Sequence, residues 1–357
     1  MSWRCIIDFE LTHTHTYIEI NTLNLYHKME EERNSDLHCI GSGSCGSVWA
    51  PLESGPAFKR EDGGPSRSLK NDFDMHQRVL DSMSCLSKIK AMHGTDKQPG
   101  QLNNPPQITI PECYRLIRPS DQDWWTENLQ RFPANFEACN TLQSQRVPPF
   151  SEPTRELLID RYCPSEIKAE VSRSIKNRSC IIRVYLGRRR IRQEPGRRSK
   201  FNGFSLRNYP LHVDQMEDMG ISCHDMSLYA RTMAEALATL HWIGKMDGND
   251  VEFVLAPPNG EQRSSNTISN VLGEHAMWVI DFDLCRDMSM DEDGVKQAVR
   301  AYWGNDPYYP RPRSELLWEE FRKQYLQTSG EIVGALGLDT ITGLPKLFID
   351  LIEKEGS

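Results

Sequence analysis

Gly41-Ser-Gly43-Ser-Cys-Gly46-Ser-Val48 is followed, 13 positions after its last glycine, by Lys59 in Ala57-Phe58-Lys59. A loop bearing Gly41, Gly43 and Gly46 approaches phosphate closely, because absent side chains let backbone N–H groups point at the oxygens. Val48 follows where an apolar side chain would cover a nucleobase. Alone, such a loop reads as an ordinary glycine hairpin. A strand-borne ammonium at Lys59 changes that balance, since it is placed to pair with ligand phosphates.

The flanking pattern fits. Leu37-His-Cys-Ile40, Val48-Trp49-Ala50 and Ala57-Phe58-Lys59 read as strands around turns, with Cys113–Ile117 and Leu157–Asp160 as two more. Residues 68–80 read as a helix with Leu69, Phe73, Val79 and Leu80 facing a core. Asp72 on that helix is the candidate for the carboxylate partner of Lys59 that the kinase resemblance described below implies, with Asp74 as the alternative and solvated helix charge as the bland reading. Arg161-Tyr-Cys-Pro164 is expected as a connector, since proline disfavours helix continuation. The stretch 119–150, with Trp124, Trp125, Phe132 and Phe136, is read as an insertion packing on these strands.

The second half is more helical. Met226, Ala230, Met233, Leu237 and Leu240 recur at helical spacing and predict a buried face, with Ser222 and Asp225 at its start. Further helices are expected at 295–301, 314–326 and 346–352. Between them lie Lys245-Met246-Asp247 and then Glu252-Phe253-Val254-Leu255. An apolar strand, Met277–Ile280, leads into Asp281-Phe282-Asp283.

These elements resemble, in order and spacing, the nucleotide-handling elements of protein kinases. The resemblance implies a bilobal α+β fold, with a five-stranded small lobe and a mainly helical large lobe. On that frame residues 1–35 are an extension, 36–162 an ATP-covering lobe and 163–357 the second lobe. Asp247 takes the catalytic-base position, five residues before Glu252, which stands where kinases have a metal-binding Asn. Asp281 takes the Mg²⁺-binding position. Asp283 replaces the usual glycine, closer to small-molecule kinases of the aminoglycoside-phosphotransferase type. Lys245 and Met246 replace the expected His and Arg. Asp247, Glu252, Asp281 and Asp283 together are expected to repel one another unless a cation sits among them.

Longer phrases resemble a fungal family catalogued as domain of unknown function 3669, sometimes labelled zinc finger protein. They include Leu69-Lys-Asn-Asp-Phe-Asp-Met-His76, Leu158-Ile-Asp-Arg-Tyr-Cys-Pro164, Ser205-Leu-Arg-Asn-Tyr-Pro-Leu-His212 and Asn305-Asp-Pro-Tyr-Tyr-Pro-Arg-Pro312, within roughly residues 38–330. This resemblance implies a kinase-like core and supplies no activity.

Composition bounds the alternatives. The chain has 357 residues, 38% hydrophobic and 26% charged, which suits a globular protein. No apolar run approaches the roughly 20 residues of a membrane span, and the N-terminus lacks a secretory pattern, so a cytoplasmic or nuclear location without a membrane partner is expected. Ten cysteines are scattered with no Cys-x-x-Cys, which supports neither a disulfide framework nor a zinc site. The net charge of −8 argues against a nucleic-acid binder. The arginine-rich run 183–207 reads as a solvated loop before it reads as an anion or acidic-partner site. The expected ligands are therefore ATP and Mg²⁺, with an unidentified small-molecule or protein partner. Two functions follow: a Mg·ATP-dependent phosphotransferase acting on a hydroxyl, or a pseudokinase-like interaction module without catalysis; a third, a nucleic-acid-binding regulator, rests only on the arginine run and the zinc-finger label.

Overall fold

A computed structural model describes residues 36–43, 45–63, 67–93, 107–190, 203–258 and 267–356. The first sheet holds β1 (Leu37–Ser42), β2 (Ser47–Pro51), β3 (Ala57–Arg60), β4 (Cys113–Ile117) and β5 (Thr141–Ser144), in the order β1-β2-β3-β5-β4. All its pairings are antiparallel. Val48 lies opposite Lys59, and Lys59 opposite Leu142, so the two-residue alternation brings all three to one face.

The other face carries Trp49, Phe58 and Arg60. Trp125, Phe132 and Phe136 cover it, with Trp49 and Phe136 ring centres 5.1 Å apart. The Arg60 guanidinium, 2% exposed, lies 4.8 Å from the Phe132 ring centre and 4.7 Å from that of Phe136, and donates to the Glu137 carbonyl at 2.6 Å. The aromatic stretch thus packs on the sheet, and the chain beyond it supplies the fifth strand.

That strand is not the one expected from sequence. Residues 157–160 lie in a helix, because Ser151 and Pro153 open its first turn and Leu158 and Ile159 point into the core. Pro164 follows as a helix stop, so Arg161–Pro164 closes a helix instead of forming a connector. The chain leaves the first sheet through residues 145–150.

Helix α1 (Leu69–His93), longer than expected, covers the cavity-facing side of the sheet, where Leu69 and Leu142 are buried with Cys45. Short helices follow at α2 (Gln122–Asn128), α3 (Glu152–Tyr162), α4 (Lys168–Arg173) and α5 (Val213–Asp218). The second sheet contains β6 (Ile182–Tyr185), β7 (Tyr209–His212), β8 (Glu252–Ala256), β9 (Ile268–Asn270) and β10 (Gly273–Ile280), ordered β7-β6-β8-β10-β9. Only the β6–β7 pair is parallel.

The main core gathers around α6 (Cys223–Trp242), whose apolar face is buried as its spacing predicts. Ser222 Oγ accepts the Asp225 N–H at 3.0 Å and caps its start. The later helices extend the expected ones: α7 (Glu292–Gly304), α8 (Glu315–Ala335) and α9 (Leu344–Gly356). Between α6 and α8, buried His241 Nδ1 pairs with Tyr325 Oη at 2.8 Å, and Trp242 Nε1 donates to Ser329 Oγ at 2.8 Å. Among the described residues no helix is long and apolar enough to cross a membrane.

Met233 is fully buried in this core and Met92 is 77% exposed. Met233→Ala is expected to cost about 2–5 kcal/mol through lost burial and a residual cavity. Met92→Ala is expected to stay within about 0.5 kcal/mol. Urea denaturation of both variants checks the assignment of the core.

Candidate functional site

A cavity of about 520 Å³ opens between the glycine loop and the ends of β8 and β10. Val48, Ala57, Leu142, Val147, Ile181 and Ile280 give it apolar walls, and Lys59, Asp72, Glu252 and Asp281 give it charge. Gly41, Gly43 and Gly46 line its rim. Of the residues given a nucleotide, metal or catalytic role from sequence, Gly41, Gly43, Gly46, Val48, Lys59, Asp72, Glu252 and Asp281 meet at this cavity, and Asp247 does not.

At its centre the Lys59 ammonium donates to Asp72 Oδ2 at 2.5 Å and to Asp281 Oδ1 at 2.6 Å. Strand β3 supplies the lysine, the first turn of α1 supplies Asp72, and the turn after β10 supplies Asp281. Burial pulls the ammonium toward neutrality, but Asp281 and Asp72 outweigh it and hold its pKa well above the ordinary lysine value. Asp74, the alternative partner, is exposed and pairs with Lys70.

Helix α1 also fixes the turn that carries Asp281. Asp72 Oδ1 accepts the Phe282 N–H at 3.2 Å, and Asn71 Nδ2 donates to the carbonyls of Asp283 at 2.8 Å and Cys285 at 3.0 Å. Phe282 packs with its ring centre 5.0 Å from His76 on the same helix. Asp281 is thereby held at φ 66°, a left-handed conformation rare outside glycine.

Asp247 sits elsewhere. It is 4% exposed, and its Oδ1 accepts the N–H groups of Asn249 at 3.1 Å and Arg286 at 3.0 Å. Its Oδ2 accepts Gln297 Nε2 at 2.8 Å. Those bonds tie the 245–250 loop to the 286 segment and to α7. Asp250, three residues later, is the carboxylate of this loop that lines the cavity.

The expected repulsion among carboxylates is relieved from within the chain. Arg67 Nη1 donates to Asp283 Oδ2 at 2.8 Å and to Asp250 Oδ2 at 3.0 Å. Arg183 pairs with Glu252 and reaches Asp306 at 3.5 Å. Four cationic side chains (Lys59, Arg67, Arg146, Arg183) face five carboxylates (Asp72, Asp250, Glu252, Asp281, Asp306) around the cavity. Neither Arg67 nor Asp306 carries a sequence signal: the arginine follows a Gly-Gly-Pro-Ser run, and the aspartate lies beyond α7. Arg183 had a detectable sign, since it alternates with buried Ile182 and Val184 on β6. Farther along the basic run, Arg189 and Arg190 pair with Glu217 and Asp214. Residues 191–202 lie outside the described residues.

Two carboxyls stand above their ordinary range. Burial pushes Asp283 up to about 6, reinforced by Asp281 beside it; its Oδ1 is buried with no partner. Burial pushes Glu252 up from the ordinary 4.5 to about 7, although Arg183 pulls the other way. Asp281 lies below the ordinary value: burial raises it, but Lys59 lowers it further. Burial lifts the Cys45 thiol to about 12, so it is a protonated wall of the cavity and not a nucleophile.

The raised Glu252 carboxyl makes a prediction with a definite sign. Between the unfolded value of 4.5 and the native value of about 7, the folded state holds the proton more tightly. Rising pH therefore removes stability through this group. Glu252→Gln lacks that loss, so its melting temperature should gain on the wild type as pH rises from about 5 to about 8. Paired thermal melts at the two pH values check this, and a constant difference contradicts it.

Among the described residues no three His, Cys, Asp or Glu side chains gather to hold a metal ion. The profile of a family described as zinc finger protein, domain of unknown function 3669, matches residues 277–336, from β10 to the end of α8. That segment contains one cysteine, Cys285, and no histidine, far short of the four ligands of a structural zinc site. No curated protein matches the chain.

Proposed function

We propose that the chain is a kinase-like module that binds a nucleoside triphosphate, with Mg²⁺, in the cavity centred on Lys59. One observation carries the reading: an ammonium on β3 is held between carboxylates 13 and 222 positions away, on α1 and after β10. That is the charge arrangement a triphosphate and its cation require, because the lysine meets phosphate oxygens while Asp281 faces the metal. The first five-stranded sheet, followed by helices packed with a second five-stranded sheet, supports the bilobal kinase-like layout. The cavity volume lies within the usual range for small-molecule sites, roughly 300–1,000 Å³.

The glycines support the same reading by their differences. A Cβ on Gly46, at φ 149°, would meet the Arg60 carbonyl at 2.0 Å, so that glycine is demanded by the hairpin itself. A Cβ on Gly43 would meet nothing within 4 Å, which leaves open room at the rim for a ligand. The carboxylate oxygens of Asp281, at the cavity wall, suit a hard cation such as Mg²⁺. Glu252 would contribute only after release from Arg183. With so few protein ligands, the remaining coordination would come from phosphate and water.

For the chemistry, binding without transfer is the reading we favour. Asp247 spends its carboxylate on three internal donors and does not line the cavity. Phosphoryl transfer to a hydroxyl acceptor is the second reading, favoured by the open position of Asp250 at the cavity.

ATP with Mg²⁺ should raise the melting temperature of the wild type, by the equivalent of about 2.7 kcal/mol at a hundredfold excess over Kd. Lys59→Ala and Asp281→Asn should each abolish the rise. No shift in the wild type removes the nucleotide reading, and ADP formation with a hydroxyl acceptor would move the balance to transfer.

A further inference from the structure

Arg67 reaches the cavity from the segment before α1 and gives both its hydrogen bonds from one nitrogen, Nη1. Its two partners differ. The Asp283 side chain is fully buried, whereas that of Asp250 is 44% exposed. Taking Asp250 off the guanidinium returns a carboxylate to water at little cost, while taking Asp283 off strands a buried charge. An anion that competes for Nη1 therefore has one partner it can replace. Among the carboxylates at the cavity, Asp306 is equally exposed, at 49%, but answers to Arg183 and Tyr185 instead.

Resting on the nucleotide reading above, we propose that Arg67 reads the terminal phosphate of the bound ligand by exchange. A phosphate oxygen takes the place of the Asp250 carboxylate on Nη1, and Asp283 keeps the guanidinium in position. The exchange suits a guanidinium, whose planar donors bond carboxylate and phosphate alike. It also makes the longer ligand the better one. A monophosphate anchored by its base against Val48 and Ala57 leaves Asp250 in place, and a triphosphate displaces it. Arg67 then supplies, from the chain itself, part of the positive charge that a polyphosphate needs. The freed Asp250 carboxylate is left facing the cavity.

Calorimetric titration of ATP and AMP, both with Mg²⁺, separates the outcomes. The wild type should favour ATP. Arg67→Gln keeps a donor for Asp283 but removes the charge, and should weaken ATP about tenfold or more, the worth of one charge-assisted hydrogen bond, with AMP unchanged. Asp250→Asn removes the competitor and should tighten ATP more than Asp306→Asn does, and that extra gain should vanish in the Arg67→Gln background. An unchanged ATP-to-AMP ratio in Arg67→Gln, or equal gains from the two aspartate variants, overturns the exchange while leaving nucleotide binding intact. A wild type that binds neither nucleotide overturns the nucleotide reading and the exchange together.

Discussion

Lys59 and its two carboxylates join three parts of the chain that are far apart in sequence. The ammonium arrives on β3, Asp72 sits in the first turn of α1, and Asp281 stands in the turn after β10. Unit charges 4 Å apart attract by about 4 kcal/mol in surroundings of intermediate polarity, and these atoms are closer. That attraction has to offset the dehydration of an ammonium whose side chain is only 17% exposed and a carboxylate at 3%. Removing one member of such a set leaves an uncompensated buried charge, which costs about 3–5 kcal/mol. The backbone bonds from Asp72 and Asn71 to residues 282–285 act along the same seam. Helix α1 is thus pinned to both the first sheet and the turn that closes the second.

The rest of the cavity follows from charge balance. Every acidic group that the sequence placed at the centre, except Asp247, answers to a cation from a different segment: Asp281 to Lys59, Asp283 to Arg67, Glu252 to Arg183. Asp247 is satisfied by two backbone N–H groups and a glutamine amide. Three of the four cations at the cavity are therefore already paired with carboxylates, and the fourth, Arg146, donates to the Pro51 carbonyl.

How much of this was readable in the residues depended on whether the signal was local. The strands β1 to β4 declared themselves by alternating apolar residues between turns, and α6 by its spacing of Met226, Ala230, Met233, Leu237 and Leu240. β5 did not, because Thr141-Leu-Gln-Ser144 carries one large apolar residue and its burial comes from neighbouring strands and from Leu69 of α1. Leu157-Leu-Ile looked like a strand for the opposite reason: three consecutive apolar residues carry no period of their own, and the helix there is set by Ser151, Pro153 and the core beneath Leu158. At the site, the motif spacing located Lys59, Asp72, Glu252 and Asp281, which the fold brings to one cavity. It placed Asp247 there as well, because a spacing rule counts residues and not the direction a loop turns. Asp250, three residues later, reaches the cavity where Asp247 does not. Arg67 and Arg183 were beyond the rule altogether, since a counterion has to be near its partner in space and not in sequence.

Backbone strain points to the same place as charge. Four non-glycine residues among those described adopt positive φ: Asn208, Lys245, Asp250 and Asp281. Three of them, Asn208, Asp250 and Asp281, line the cavity, and Lys245 sits in the loop that leads to Asp250. Conformations of this kind cost on the order of 1 kcal/mol or more each and persist only where neighbours over-determine them. The neighbours here are identifiable: Asn305 Oδ1 accepts the Asp250 N–H at 2.6 Å, Asp72 takes the N–H after Asp281, and the Lys245 carbonyl accepts Met288 N–H at 2.9 Å. Three of the four thus gather around one opening, and all three are Asn or Asp, whose short polar side chains tolerate the left-handed region better than other non-glycine residues do.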